Sequence, residues 1–197
     1  LSITGADDVN SNINPDTRRG VAGIYFMYKA AGAKADQNGT LEEVYAAANL
    51  AKQNTRTVGF ALTPCIVPEI GHSNFVLEEG EMAMGMGIHG EPGIWNGPIK
   101  TAKELAKESL DTILKDMPLK SGDEIGLGAT SLEELYILSG DATEYLKSLG
   151  IKVYRTIVGE YATSMEMMGA SISICKLDNE LKGYIDYPVN TPFIVQK

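Results

Sequence analysis

The densest run of chemistry-bearing residues is Glu81-Met-Ala-Met-Gly-Met-Gly-Ile-His-Gly-Glu-Pro-Gly93. Glycines and a proline surround His89, one of only 2 histidines in the chain. A strand that runs apolar to Ile88 and then stops leaves His89 in a loop where glycines remove side-chain bulk. An imidazole so placed is open to a small ligand and can act as base, acid or nucleophile near neutral pH. A histidine that only satisfies a turn carbonyl fits the composition equally well. Gly85-x-Gly87-x-x-Gly90 also has the spacing of a dinucleotide fingerprint. That fingerprint needs a helix N-terminus directly after the glycines to receive a pyrophosphate. Glu91-Pro92-Gly93 and Asn96-Gly97-Pro98 follow instead, so no helix opens before Thr101 and the nucleotide reading is set aside.

The remaining reactive side chains carry weaker signals. His72, in Gly71-His72-Ser73-Asn74, reads as a surface residue. Cys65 is a nucleophile by type, but no flanking charge lowers its pKa, and free cysteine is commonly buried, so packing is expected. Met82, Met84 and Met86 alternate and are expected to form one apolar strand face. Arg18-Arg19 could bind an anion at a helix start, but without a partner reads as a solvated or interdomain pair. Glu42-Glu43, Glu78-Glu79 and Glu133-Glu134 read as solvated faces or first-turn helix charges. No Ser-His-Asp order, P-loop or zinc spacing is visible, and no metal site is expected.

These residues sit in a chain of 197, enough for one large domain or two small pieces. Hydrophobic residues make up 44% and charged residues 22%, as in globular proteins, so general disorder is excluded. The net charge of −9 argues against a nucleic-acid grip and against a polybasic membrane surface. No apolar run reaches the ~18 residues of a membrane span. The first residues are polar, so no signal peptide is expected. Cys65 and Cys175 read as reduced thiols, which suggests a cytoplasmic protein. A chain that begins at Leu1 is expected to be part of something longer.

The elements that must position these groups follow from periodicity and punctuation. Leu1-Ser-Ile-Thr reads as the tail of a strand. Asp16 is expected to cap a helix running to Gln37, with Val21, Ile24, Tyr25 and Tyr28 at helical spacing. Its many small residues allow close packing. Thr40-Leu-Glu-Glu43 and Thr101-Ala-Lys-Glu104 are capping boxes that open helices over 41–53 and to Lys115. A further helix spans 131–147, with a possible break at Gly140. Strands are expected over 57–62, 74–77, 81–88, 151–159, 171–177 and 181–187. The alternation predicts an α/β or α+β fold with a mixed sheet.

Several motifs occur here in the order found in one family. They are Arg18-Arg19-Gly20-Val21-Ala22-Gly23, Cys65-x-Val67-Pro68, and Gly85-x-Gly87-Ile88-His89-Gly90-Glu91-Pro92-Gly93. Leu127-Gly128-Ala129-Thr130, Glu134-Leu135-Tyr136 and Thr163-Ser164-Met165 before Gly169 follow. The whole chain resembles the C-terminal part of the substrate-binding (K) subunit of dihydroxyacetone kinases. The resemblance implies a two-layer α/β domain with a mixed sheet over 55–197, preceded by residues 1–54 that complete a first, mostly missing, α/β domain. It implies that His89 attacks the ketone of dihydroxyacetone and holds it as a hemiaminal for phosphorylation. A carbonyl can form that adduct and a polyol cannot. Gly90 would contribute to the substrate loop. Glu91 is a geometric guess as the group that orients the imidazole.

The resemblance also implies no cofactor on this chain. ATP or ADP with Mg would lie on a helical nucleotide-binding subunit or domain, and a homodimer is expected. Relatives of this subunit act as ligand-sensing partners of transcription regulators and keep the same histidine, so a sensing co-regulator is the alternative. Three departures stand out. The family's Gly-Ser-Gly-His-Glu-Pro stretch is absent, the segment at Glu124-Ile125-Gly126 is short, and His72 stands where the family usually has lysine.

Overall fold

A computed structural model describes the chain except residues 12, 13, 15, 16, 67–70, 74, 92, 130, 131, 163, 165, 166 and 193, and the side chains of 129, 132 and 133. The elements in order are α1 (Ile24–Asp36), α2 (Leu41–Gln53), β1 (Thr55–Ala61), β2 (Glu81–Met84), β3 (Trp95–Pro98), α3 (Ala102–Asp116) and β4 (Glu124–Ala129). They continue with α4 (Leu132–Ser148), β5 (Lys152–Val158), β6 (Gly169–Lys176), α5 (Asn179–Asp186), β7 (Val189–Asn190) and β8 (Val195–Gln196). The main sheet has six strands in the order β3-β2-β1-β6-β4-β5. Only β4 and β5 pair in parallel; the other neighbours are antiparallel. The expected mixed α/β sheet is therefore present.

Alternation along the central strands divides the core. Ile172 and Ile174 of β6 and Val58 and Phe60 of β1 face Leu105, Leu110 and Ile113 of α3 and Leu138, Ala142 and Leu146 of α4. Cys175, on the opposite face of β6, packs with Phe26, Met27 and Ala30 of α1, Ala47 and Ala51 of α2, and Leu181 of α5. Helices thus cover both faces of the sheet. Period-two alternation in strands and period-3.6 stripes on helices make this division possible.

Both capping boxes form: Thr40 with Glu43 and Thr101 with Glu104, each side chain reciprocating the other's backbone. The α4 helix runs through Gly140 without a break.

Four expectations are corrected. The first helix opens at Ile24, not near Asp16, which lies outside the described residues. Residues 18–20 are held in irregular backbone by long-range partners, and the buried Asp7 carboxylate takes the Val21 and Gly23 N–H groups at 3.0 and 2.8 Å. Residues 75–77 form no strand, and Val76 is exposed; Asn74 lies outside the described residues. The segment 181–187 is helical over Asn179–Asp186, because Asp178 caps the Leu181 N–H at 2.8 Å and Leu181, Tyr184 and Ile185 bury one helical face. Leu1–Thr4 joins no sheet; the nearest pairing is an isolated parallel bridge between Asp8 and Thr57.

Candidate functional site

Strands β2 and β3 form a hairpin whose register closes at Met84 and Trp95. The connecting loop contains His89. It leaves β2 at Gly85, whose φ of +80° is cheap only without a β-carbon. The Gly85 N–H is returned to the Gly59 carbonyl of β1 at 2.6 Å, which ties the loop base to the sheet. Gly90, at φ +73°, donates to the Gly87 carbonyl at 3.1 Å and reverses the chain. The glycines thus build a hairpin loop, not a strand-to-helix turn. This is the physical reason the dinucleotide spacing carries no nucleotide site.

The break at Gly85 also corrects the methionine reading. Met82 and Met84 are buried in the core beneath α3, whereas Met86 lies beyond the strand and packs with Ala61 and Ala83 in a separate cluster.

Within the loop, Glu91 folds back over Gly87. Its Oε2 accepts the His89 main-chain N–H at 3.1 Å, and its Oε1 lies 3.3 Å from His89 Nδ1. Burial works against the charge of Glu91. The main-chain N–H groups of Glu91 and His89, the imidazole and the Arg19 guanidinium outweigh it and hold the carboxyl below the usual carboxylate range. An ionised carboxylate only accepts hydrogen bonds, so the neutral ring carries its proton on Nδ1 and its lone pair on Nε2. The imidazole is 69% exposed.

The loop is held from outside by the segment before α1. The Arg19 guanidinium donates from Nε to Asp8 Oδ2 at 3.0 Å and from Nη2 to the Gly85 carbonyl at 3.1 Å. Burial pushes the Asp8 carboxyl up, and Arg19 pulls it down. Arg18 turns the other way and grips Asp116 with both terminal nitrogens, while Arg56 joins the same carboxylate. The double arginine is therefore neither solvated nor at a helix N-terminus. Partners distant in sequence claim each side chain.

A cleft of about 310 Å³ opens beside the loop. Phe60, Met86, Ile88 and Met167 give it apolar walls, and Glu160, Ser164 and Ser171 give it polar ones. It reaches Gly87 and Ile88 and stops one residue short of His89. Spacing and composition did not point to Glu160, Ser164 or Ser171, because only the ends of β5 and β6 bring them beside the loop.

The other reactive residues lie elsewhere. His72 is exposed, with Nδ1 3.0 Å from the Ser73 carbonyl oxygen. Cys65 and Cys175 are buried free thiols, and burial pushes Cys175 up to about 12. Glu43 serves its capping box, and Glu78, Glu79 and Glu134 are exposed; the Glu133 side chain lies outside the described residues. Among the described residues no group of three His, Cys, Asp or Glu side chains fits a metal ion. No helix among them is long and apolar enough to cross a membrane.

Comparison with known proteins places this geometry. The Dak1 domain family matches residues 2–193. The chain is 40% identical over 197 residues to the dihydroxyacetone-binding subunit DhaK of PTS-dependent dihydroxyacetone kinase 2 from Listeria innocua, covering 98% of this chain and 60% of that protein. Among solved structures, a dihydroxyacetone kinase operon co-activator superposes with a TM-score of 0.85 at 29% identity, over 94% of this chain and 60% of the other. The dihydroxyacetone kinase of C. freundii, solved with AMP-PNP and Mg2+, shares the fold with a TM-score of 0.82 at 24% identity, over all of this chain and 36% of that one. The chain therefore spans about 60% of the curated relative's length, and it belongs to the Dak1 domain family.

Proposed function

We propose that this chain is the carbonyl-holding part of a dihydroxyacetone-binding kinase subunit, with His89 as the covalent substrate ligand. The supporting observation is the Glu91 carboxylate 3.3 Å from Nδ1 of a largely exposed imidazole: a neutral ring that donates Nδ1–H to it carries its lone pair on Nε2. The Nε2 lone pair attacks the ketone carbon, a C–N bond forms, and the carbonyl π pair moves to oxygen. The Nδ1 proton is lost to solvent past Glu91, which stays ionised, and the alkoxide takes up a proton in exchange, giving a neutral hemiaminal. The adduct fixes the terminal hydroxyl of the ketone for phosphoryl transfer, an orientational gain. The loop glycines, Gly90 among them, keep bulk away from the attack path.

The nucleotide and its Mg2+ belong, on this reading, to a helical partner subunit or domain. The dihydroxyacetone kinase solved with AMP-PNP and Mg2+ is a much longer chain, of which this one covers 36%. Residues 1–54 would complete a first domain and 55–197 form the second, with a homodimer as the assembly and the cytoplasm as its place.

The test is a dihydroxyacetone titration followed by NMR of nitrogen-labelled histidine, with His89→Ala and glycerol as controls. A new imidazole signal, absent in both controls, is expected. No signal from the full-length protein overturns the role of His89.

The second reading is a ligand-sensing co-regulator, favoured by the likeness to the operon co-activator. Co-purification separates the two: a kinase subunit retains a helical nucleotide-binding protein, a sensor a DNA-binding one.

A further inference from the structure

We propose that Arg19, clamped by Asp8, is a positioning residue for His89, holding the hairpin loop and the Glu91 carboxylate where they select the Nδ1–H tautomer. This rests on the reading of His89 as the reactive group.

Arg19 is fixed at both ends. Its main-chain N–H donates to Ser11 Oγ at 2.9 Å, and its carbonyl accepts the Asp8 N–H at 3.2 Å. Its guanidinium meets the Asp8 carboxylate, which is only 1% exposed and also accepts the Asn10 N–H. From that anchor one arm reaches the Gly85 carbonyl, where the loop leaves β2. The other arm crowds Gly87. A β-carbon on Gly87 would stand 3.1 Å from Arg19 Nη1 and 2.0 Å from Glu91 Oε2. The cation and the carboxylate thus border the same space above the glycine, near enough for a through-space attraction, and Glu91 in turn accepts the His89 main-chain N–H and lies 3.3 Å from Nδ1.

A planar guanidinium can serve Asp8, Gly85 and the Glu91 field together, because its donors point in fixed, different directions; an ammonium on a flexible stem cannot. Without it, Glu91 loses the positive neighbour that keeps it folded over Gly87. The imidazole then loses its Nδ1 acceptor and reverts to the Nε2–H form preferred in water. That form has no lone pair on Nε2.

The experiment reads the tautomer directly in the ligand-free, full-length protein. A His72→Gln background leaves His89 as the histidine observed in this chain; His72 is exposed and remote from the loop. Nitrogen chemical shifts and two-bond couplings distinguish Nδ1–H from Nε2–H. Arg19→Met is expected to move the signal from Nδ1–H toward Nε2–H and to lower adduct formation by roughly ten- to a hundredfold. Asp8→Asn, which loosens the clamp, should move both in the same direction by less. A residue with only a structural role would change thermal stability and leave the tautomer alone. If Arg19→Met does not fold, Arg19→Lys is read by the same signals. An unchanged Nδ1–H tautomer in a folded Arg19 variant overturns the proposal. Absence of an adduct in the unmodified protein would instead sink the carbonyl-ligand reading, while the tautomer comparison still decides the role of Arg19.

Discussion

Glu91 occupies the space that Gly87 leaves by having no side chain. The Oε2 atom lies 2.0 Å from the point where a β-carbon on Gly87 would stand. Gly87→Ala must therefore expel the carboxylate from His89. We expect adduct formation to fall at least about tenfold, because the orienting group of a reactive residue is displaced by more than an ångström. Thermal stability should change less, since the atom in the way is the end of a flexible Glu91 side chain and not backbone. Titration with dihydroxyacetone and a melting curve on the same sample check both halves. Full adduct formation in the alanine variant would remove Glu91 from the mechanism.

Glu91→Gln tests the same group without a steric change. The amide can still accept from the His89 N–H, but its charge is gone, and its NH2 group offers a donor to Nδ1. The ring should shift toward the Nε2–H tautomer, and the rate of adduct formation should drop more than its pH-independent stability. Unaltered rates in stopped-flow measurements would show that the imidazole needs no carboxylate.

Asp116 ties the segment before α1 to the C-terminus of α3 and to β1, through Arg18 and Arg56. The hydrogen bonds from Arg18, with smaller help from Arg56, hold its carboxyl down at about 2, against an ordinary 3.8. A depressed folded pKa contributes stability that is present above the unfolded value and lost as pH falls through the folded one. We therefore expect about 2 kcal/mol to disappear between pH 3.8 and about 2. Asp116→Asn should be flat in that window. At neutral pH, Asp116→Ala should cost about 3–5 kcal/mol, because it removes both carboxylate hydrogen bonds from the buried Arg18 cation. Urea midpoints across the acid range measure all three.

Gly140 lies in the interior of α4 with open space where a β-carbon would go. Gly140→Ala should stabilise the protein by about 0.5–1 kcal/mol, the helix-interior penalty of glycine. A loss of stability in chemical denaturation would mean that something packs against this face.

Cys65 and Cys175 are both buried, and Cys175 is pushed up to about 12 by burial. Neither thiol should react with a maleimide in the native state, and both should react on unfolding. Rapid native labelling of Cys65 would show a local opening of its loop.

Much of this architecture was legible in residue order. The two capping boxes announced α2 and α3 because a capping box is a contact between residues three apart. The β1 and β6 strands were legible as short apolar stretches between polar punctuation, and the loop around His89 through its glycines. Leu181–Tyr187 misled, since a short apolar stretch suits strand and helix alike, and only the Asp178 cap with the packing of Leu181 and Ile185 on α1 decides. The first helix starts later than its apolar spacing suggests, because Arg18, Arg19 and Val21 are claimed by partners elsewhere in the chain.

The identity of His89 as the candidate reactive group, its glycine surroundings and the nearby Glu91 are local in sequence, and could be read there. The departure of Met86 from the strand face and the division of Arg18 and Arg19 between Asp116 and Asp8 could not. Those pairings join residues that the chain brings together only by folding α1, the hairpin and α3 around one sheet. A charge partner a hundred residues away leaves no period and no spacing behind; it is selected by the three-dimensional cost of burying an arginine without one.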